Sequence, residues 1–217
     1  MSKKELIKRY VLCIVSLFVS ALGVALTKHG ELGMSPISSV SNILSLKFTQ
    51  LSLGNWLIIW NCMLIAGQII ILRKKFRLIQ FLQIPLSFLF GWFTDICMMI
   101  VKNIPTDVYI MKLIMVISGI AILGFGISLA VTADAIMNSG EAFVKAVSDV
   151  SGKQFGNLKI VFDIMCVVLS IMLSMIFFKM KIFGTREGTL ISALFTGITV
   201  KFFTKLTRQP LEKLLTK

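Results

Sequence analysis

The sequence predicts an all-α integral membrane protein with six transmembrane helices, arranged as two inverted three-helix repeats, each with a short half-helix after its first span. The first observation is composition: mean hydropathy is +0.89 and 56% of the 217 residues are hydrophobic, more than a soluble domain carries. The second is length, because about six spans of roughly 20 residues would fill the chain. The third is an internal repeat. We therefore expect a single membrane domain over residues 1–217.

The formal net charge of +13 comes from Lys and Arg residues that stand mainly at the ends of apolar segments. This placement is typical of charges that face anionic lipid and set orientation, and it does not indicate nucleic-acid binding. With the amino terminus inside, basic residues at the inner ends outnumber those at the outer ends by fourteen to six. Both termini are therefore expected in the cytoplasm.

The first repeat is expected over about 8–105. Its first span, 11–27, follows a basic start that would also fit a signal peptide, but its length and its recurrence later in the chain favour a retained span. Ser35-Pro36 is typical of a helix start and predicts a short helix of about 12 residues, half a bilayer long. Two further spans are predicted at 54–72 and 79–101, the last kinked at Pro85.

The second repeat is expected over about 106–204. It begins with a span at 110–131, followed by an amphipathic short helix at 140–150. That helix fits either a half-helix dipping into the membrane or a helix lying on its cytoplasmic surface. Spans at 157–178 and 189–203 complete the unit, and 205–217 is expected to be a basic cytoplasmic tail.

Three blocks relate the two halves at offsets of 102 to 105 residues: LGVAL with FGISL, LGN with FGN, and LSFLF with ISALF. Each unit has three spans, an odd number, so the second unit enters the membrane upside down relative to the first. Inverted repeats of this kind are typical of transporters, whose sites lie at the repeat interface and are formed by short or broken helices.

Polar residues inside the apolar context are the candidate substrate-binding residues, because charges and amides are costly in hydrocarbon and suggest function. Each has a structural alternative: Lys159 and Asp163 form an i, i+4 pair that neutralises itself, and Asp95 is also explained as a helix-end charge. The Glu141 and Lys145 side chains would be solvated on a surface helix. The candidates are Ser35, Ser38, Asn42, Asn61, Asp95, Glu141, Lys145, Lys159 and Asp163.

No enzyme is expected, because the sequence has no nucleophile–base set and no Gly-rich phosphate loop. All four cysteines fall within apolar segments at spacings that fit neither a disulfide framework nor a metal motif, and His29 is the single histidine. No catalytic residue, metal or cofactor is therefore expected.

The segments GMSP, PLSFLFGWFTD, GEAF, FGNLKIVFD and GTREGTLISALFTG resemble the YczE/YyaS/YitT-like group of bacterial membrane proteins. The resemblance covers nearly the whole chain. It implies a bacterial plasma-membrane setting but no substrate, since the group is biochemically uncharacterised. The chain departs from the group at 83–85, where Gln-Ile-Pro stands in place of a Gly-Thr motif.

We therefore expect a small transporter or channel for an unidentified small polar solute, with Asp163 or Glu141 as a proton- or ion-coupling carboxylate. The alternative is a non-transport scaffold or an accessory subunit of another membrane system, in which the polar residues hold helices together. The expected partners are the lipid bilayer, a small-molecule or ion substrate, and a second copy or a membrane partner protein.

Overall fold

The computed structural model describes residues 3–153, 155–181 and 187–216. Within these ranges the chain is all-helical and contains no strand. Two short 3-10 turns, Arg73–Lys75 and Leu78–Leu82, connect the third and fourth helices. The α-helices are α1 (Lys3–His29), α2 (Pro36–Lys47), α3 (Leu53–Leu72), α4 (Gln83–Val101), α5 (Tyr109–Ala133), α6 (Ser139–Ser151), α7 (Phe155–Phe177) and α8 (Glu187–Thr216).

Six helical segments in the described part of the chain are long and apolar enough to cross a membrane. They include every α-helix except the two short ones, α2 and α6. The all-helical class and the multi-pass membrane character are thereby confirmed. The segments are Lys3–His29, Leu53–Lys75, Leu78–Val101, Tyr109–Ala133, Asn157–Phe177 and Gly188–Leu215.

The centre of the bundle is the α1–α5 pair, with α4 packed on α1 and α8 packed on α5. Small residues allow these helices to approach closely, as is common in membranes. A Cβ added to Gly23 would lie 2.5 Å from the Leu123 backbone nitrogen. Between α3 and α4, a Cβ on Gly54 would lie 2.1 Å from the carbonyl oxygen of Gly91. Glycine at these positions therefore sets the distance between helix backbones.

Both short helices enter the bundle with their amino termini first. In α2, Pro36 is buried and Lys47 is exposed; in α6, Ser139 is buried and Asp149 is exposed. Burial along each helix thus changes from one end to the other, and not only from face to face. Each short helix packs against both α3 and α7. The amino-terminal half of α6 is therefore covered by the bundle and its carboxyl-terminal end is exposed.

Two predicted features differ from the structure. Pro85 is the third residue of α4, where the first turn leaves backbone N–H groups unbonded, so it lies at the start of the helix and not at a kink within it. The sixth helix does not end at residue 203, because α8 continues through Pro210 to Thr216. The Lys8 ammonium donates to the Leu214 carbonyl at 2.9 Å, which ties this end of α8 to α1. Arg186, counted among the outer basic residues, lies outside the described residues.

Candidate functional site

The amino termini of the two short helices meet inside the bundle. A Cβ added to Gly140, the second residue of α6, would lie 2.8 Å from the Ile37 Cδ1 atom in the first turn of α2. Met34, just before α2, is 1% exposed and belongs to the main apolar core. Ser139, the first residue of α6, is also 1% exposed. We call this meeting point of Ser35–Ser38 and Ser139–Glu141 the junction.

The start of α2 offers backbone donors to the junction. Pro36 occupies the first turn, and Ser35, the residue before it, makes no side-chain cap to the helix. The Ser35 hydroxyl instead donates to the Ser38 hydroxyl at 3.0 Å. Two of the sequence candidates, Ser35 and Ser38, are therefore brought together here. The first N–H groups of a helix carry partial positive charge and have no partner within the helix.

The segment before α2 is held by the start of α8. The Met34 backbone N–H donates to the Thr189 hydroxyl at 3.3 Å, and the Gly188 N–H donates to the Leu32 carbonyl at 2.7 Å. Gly33 adopts a φ of +134°, a conformation that favours glycine, and a Cβ there would lie 2.4 Å from the Thr189 nitrogen. These contacts join the GMSP segment to Gly188 and Thr189 at the start of α8.

Counting residues along α2 and α3 from one hydrogen bond between them places Asn61 level with the α2 amino terminus. The Ser41 hydroxyl donates to the Trp56 carbonyl at 3.3 Å, which sets the level at which the antiparallel helices α2 and α3 lie side by side. Pro36 is five residues before Ser41 in α2, and Asn61 is five residues after Trp56 in α3. Because the two helices rise equally per residue, Pro36 and Asn61 lie at the same level. The Asn61 side chain is 3% exposed, and its Nδ2 donor has no hydrogen-bond partner among the described residues.

A charged cluster faces the other side of the junction. The Lys159 ammonium lies 2.5 Å and 2.6 Å from the two carboxylate oxygens of Asp163, so the predicted i, i+4 pair forms. Glu141 in α6 interacts electrostatically with both. Its Oε2 atom is buried and has no hydrogen-bond partner in the described structure. We call these three residues the charged cluster.

Glu141 lies outside the six spanning segments, and its carboxyl is in an environment that disfavours its charge. Burial raises its pKa above the ordinary value for glutamic acid, while the Lys159 ammonium and the Glu141 backbone N–H oppose the rise. The Asp163 carboxylate adds to it. The side chain is therefore suited to hold a proton under conditions where an exposed glutamate would not.

The three remaining candidates lie elsewhere. Asn42 is 3% exposed and accepts a hydrogen bond from the Lys28 ammonium. Asp95 accepts from the Gly54 backbone N–H at 2.8 Å and from the Ser52 hydroxyl, so it caps the start of α3. Lys145 is exposed and lies on the part of α6 that leaves the bundle.

Four buried polar residues that are not among the predicted candidates form a connected cluster at the start of α6. The Gln68 and Gln83 side-chain amides each donate to the other at 3.1 Å, and Gln68 also donates to the Ser139 carbonyl at 3.2 Å. The Ser87 and Ser139 hydroxyls lie 3.1 Å apart. Glutamine is unusual in an apolar span, and this signal was available in the sequence. We call these residues the glutamine cluster.

Within the described ranges, no group of three or more His, Cys, Asp or Glu side chains is placed to hold a metal ion. The four cysteines are free. What the junction offers is backbone and amide donors from α2 and α3 on one side, and a carboxyl–ammonium cluster from α6 and α7 on the other.

Comparison with known proteins gives a family but no activity. Residues 7–205 match the model of a family of unknown function, DUF6198. No curated protein and no solved structure matches the chain. The match conflicts with nothing in the YczE/YyaS/YitT-like resemblance, which itself stays a prediction. Because the match covers most of the sequence, the chain belongs to the DUF6198 family, a family of unknown function.

Proposed function

We propose that this chain is a small bacterial plasma-membrane transporter or channel for a small polar solute, with its site at the junction between two inverted repeats. One observation carries the proposal: the buried amino termini of α2 and α6 meet, with Ile37 against Gly140. Short helices that end inside the membrane leave polar backbone groups there, which proteins tolerate where those groups are buried in protein or line a water-filled cavity. In many transporters such helix ends form the substrate site.

The packing supports the inverted repeat. In the proposed units, α1–α4 and α5–α8 are equivalent in order. The α1–α4 contact has its counterpart in α5–α8, α2–α7 in α6–α3, and α2–α3 in α6–α7. The starts of the two short helices also correspond. The segment before α2 is hydrogen-bonded to α8 through Thr189, and the start of α6 is hydrogen-bonded to α4 through Ser139 and Ser87. A two-fold relation in the membrane plane accounts for these pairs, whereas the α3–α4 contact has no α7–α8 counterpart of similar extent in the described part of the chain.

The halves differ where function is proposed. Asn61 of the first half corresponds to Asp163 of the second, and Ile37 corresponds to Glu141, so the ionisable groups occur on one side of the junction. Asn61 leaves a donor unpartnered and Glu141 leaves an acceptor unpartnered. Unpaired buried polar atoms are costly to folding, and a ligand that binds both would offset that cost.

Thermal unfolding of the purified protein, measured against a set of amino acids, organic acids and inorganic ions, tests the proposal. A transported solute should raise the melting temperature in a saturable way, and Asp163→Asn should abolish the increase. Asp149→Asn, an exposed position on α6, serves as the matched control and should keep it. If no solute stabilises the protein and a membrane protein copurifies with it, the scaffold or accessory-subunit alternative replaces transport.

A further inference from the structure

The two sides of the junction present unpaired groups of opposite hydrogen-bonding type, a donor on one side and an acceptor on the other. Asn61 presents a buried amide donor, and Glu141 presents a buried carboxyl oxygen, each without a hydrogen-bond partner in the described part of the chain. Neither belongs to the Lys159–Asp163 pair or to the glutamine cluster, whose members bond to one another. What these two unpaired atoms bind defines the chemical class of the solute.

The donor side favours an anion. The first turn of α2 has no side-chain cap, so the N–H groups of Ile37 and Ser38 and the positive end of the helix dipole are directed into the bundle. Asn61 adds a third donor at the same depth. Because the two backbone N–H groups and the unpartnered Asn61 Nδ2 group are all donors, they complement a negatively charged or acceptor-rich ligand.

The charged cluster repels an anion unless Glu141 carries a proton. With every group ionised, the charged cluster holds two carboxylates and one ammonium. The charges facing Glu141 are Lys159 and Asp163 from α7, with Lys145 exposed one turn further along α6. Helix α3 contributes no Asp, Glu, Lys or Arg between Leu53 and Leu72, and α2 carries only Lys47 at its far end. Protonation of Glu141 leaves the cluster neutral.

We infer that the junction binds a small monovalent anion at the first turn of α2, beside Asn61, together with a proton on Glu141. This inference rests on the transport function proposed above and names its substrate class. Anion and proton favour each other's binding, because two negative charges ~10 Å apart at an effective dielectric constant of about 20 weaken binding on the order of tenfold. The solute then crosses as an electroneutral pair.

Thermal unfolding in detergent tests this with chloride, nitrate and formate as probes, each compared with the bulky anion gluconate at equal ionic strength. At least one small anion should stabilise the protein in a saturable way, with an apparent affinity on the order of tenfold higher at pH 5.5 than at pH 7.5. Glu141→Gln should give the acidic affinity at both pH values. Asn61→Leu should lose the saturable effect.

Matched controls separate these effects from general changes. Asn55→Leu, an exposed asparagine on the same helix, and Asp149→Asn, an exposed acid on α6, should bind anions as the unmodified protein does. If Asn61→Leu does not fold, Asn61→Ser keeps a smaller donor and should bind more weakly while folding normally. The inference is overturned if small anions act no differently from gluconate, if Asn61 variants bind normally, or if Glu141→Gln keeps the pH dependence.

The two proposals fail in different ways. If a cation or a neutral solute protects the protein while chloride, nitrate and formate do not, the anion site is wrong and the transport proposal stands. If small anions bind as described but no anion flux is detected in reconstituted vesicles, the anion site stands and transport is wrong.

Discussion

Ile37 of α2 and Gly140 of α6 lie in contact, although they come from opposite halves of the chain. A Cβ added to Gly140 would approach the Ile37 Cδ1 atom to 2.8 Å. The contact joins two helices whose amino ends are buried and whose carboxyl ends are exposed. It therefore fixes how far each short helix reaches into the bundle, and the candidate site depends on it.

Enlarging Gly140 should separate the short helices. The neighbouring atom is the end of a flexible side chain, so Gly140→Ala should cost little, whereas Gly140→Leu should destabilise by about 1–3 kcal/mol through overpacking. Ile37→Ala should relieve most of that loss in the double variant, and thermal unfolding of the four proteins measures the coupling. Additive losses would mean that the two residues do not share the space.

The glutamine cluster should behave as a unit. Gln68→Leu leaves the buried Gln83 amide without its partner, so the loss of stability should be about 1–3 kcal/mol. Replacing both by leucine removes the unpaired group, and the double variant should be more stable than the sum of the single losses implies. The Ser139 carbonyl also loses its Gln68 donor, so some loss remains. If the double variant loses as much stability as the two single variants together, the mutual hydrogen bonding of Gln68 and Gln83 is contradicted.

Glu141 should make stability depend on pH. Its pKa is raised on folding, so the folded state binds the proton more tightly than the unfolded state, and stability falls as pH rises from the ordinary pKa of a glutamate through the raised one. Glu141→Gln should therefore melt higher than the unmodified protein at pH 8 and at nearly the same temperature at pH 4. Asp149→Asn should show no such difference. A pH profile unchanged by Glu141→Gln would show that another group titrates.

Asp95 should act as a cap and not as a ligand. Asp95→Ala removes the acceptor of the Gly54 N–H and of the Ser52 hydroxyl, so it should destabilise by about 0.5–2 kcal/mol. Any solute that stabilises the unmodified protein should raise the melting temperature of Asp95→Ala by the same amount. If Asp95→Ala folds but the solute no longer raises its melting temperature, Asp95 belongs to the binding site.

The sequence predicts this fold well where hydrophobicity decides it. The six spans and both short helices are predictable because apolar runs of sufficient length alternate with polar segments, and Ser35-Pro36 marks a helix start by local chemistry. The end of the sixth span is not predictable in the same way. Charged residues and Pro210 indicate a break after residue 203, but α8 continues because its basic end packs beside α1, with Lys8 bonded to the Leu214 carbonyl.

The site is only partly predictable, because side-chain partners depend on tertiary packing. Lys159 and Asp163 are neighbours on one helix, so their pairing follows from spacing alone. Gln68 and Gln83 stand on different helices, and nothing local indicates that they meet. Asp95 shows the same dependence: its place in the sequence fits a ligand or a helix-end charge, and the hydrogen bond to the start of α3 that supports the second explanation is seen only in the fold.

The inverted entry of the two short helices is tested most directly by labelling their exposed carboxyl-terminal halves with a membrane-impermeant maleimide. The Lys47→Cys and Lys145→Cys variants, each made in a chain whose four native cysteines are replaced, place a single thiol on α2 and on α6 at exposed positions. Lys102→Cys and Lys213→Cys, also exposed, serve as markers for the outer and inner sides. We predict that intact cells label positions 47 and 102, and that positions 145 and 213 react only after permeabilisation. Labelling of positions 47 and 145 from the same side of the membrane would contradict the inverted repeat.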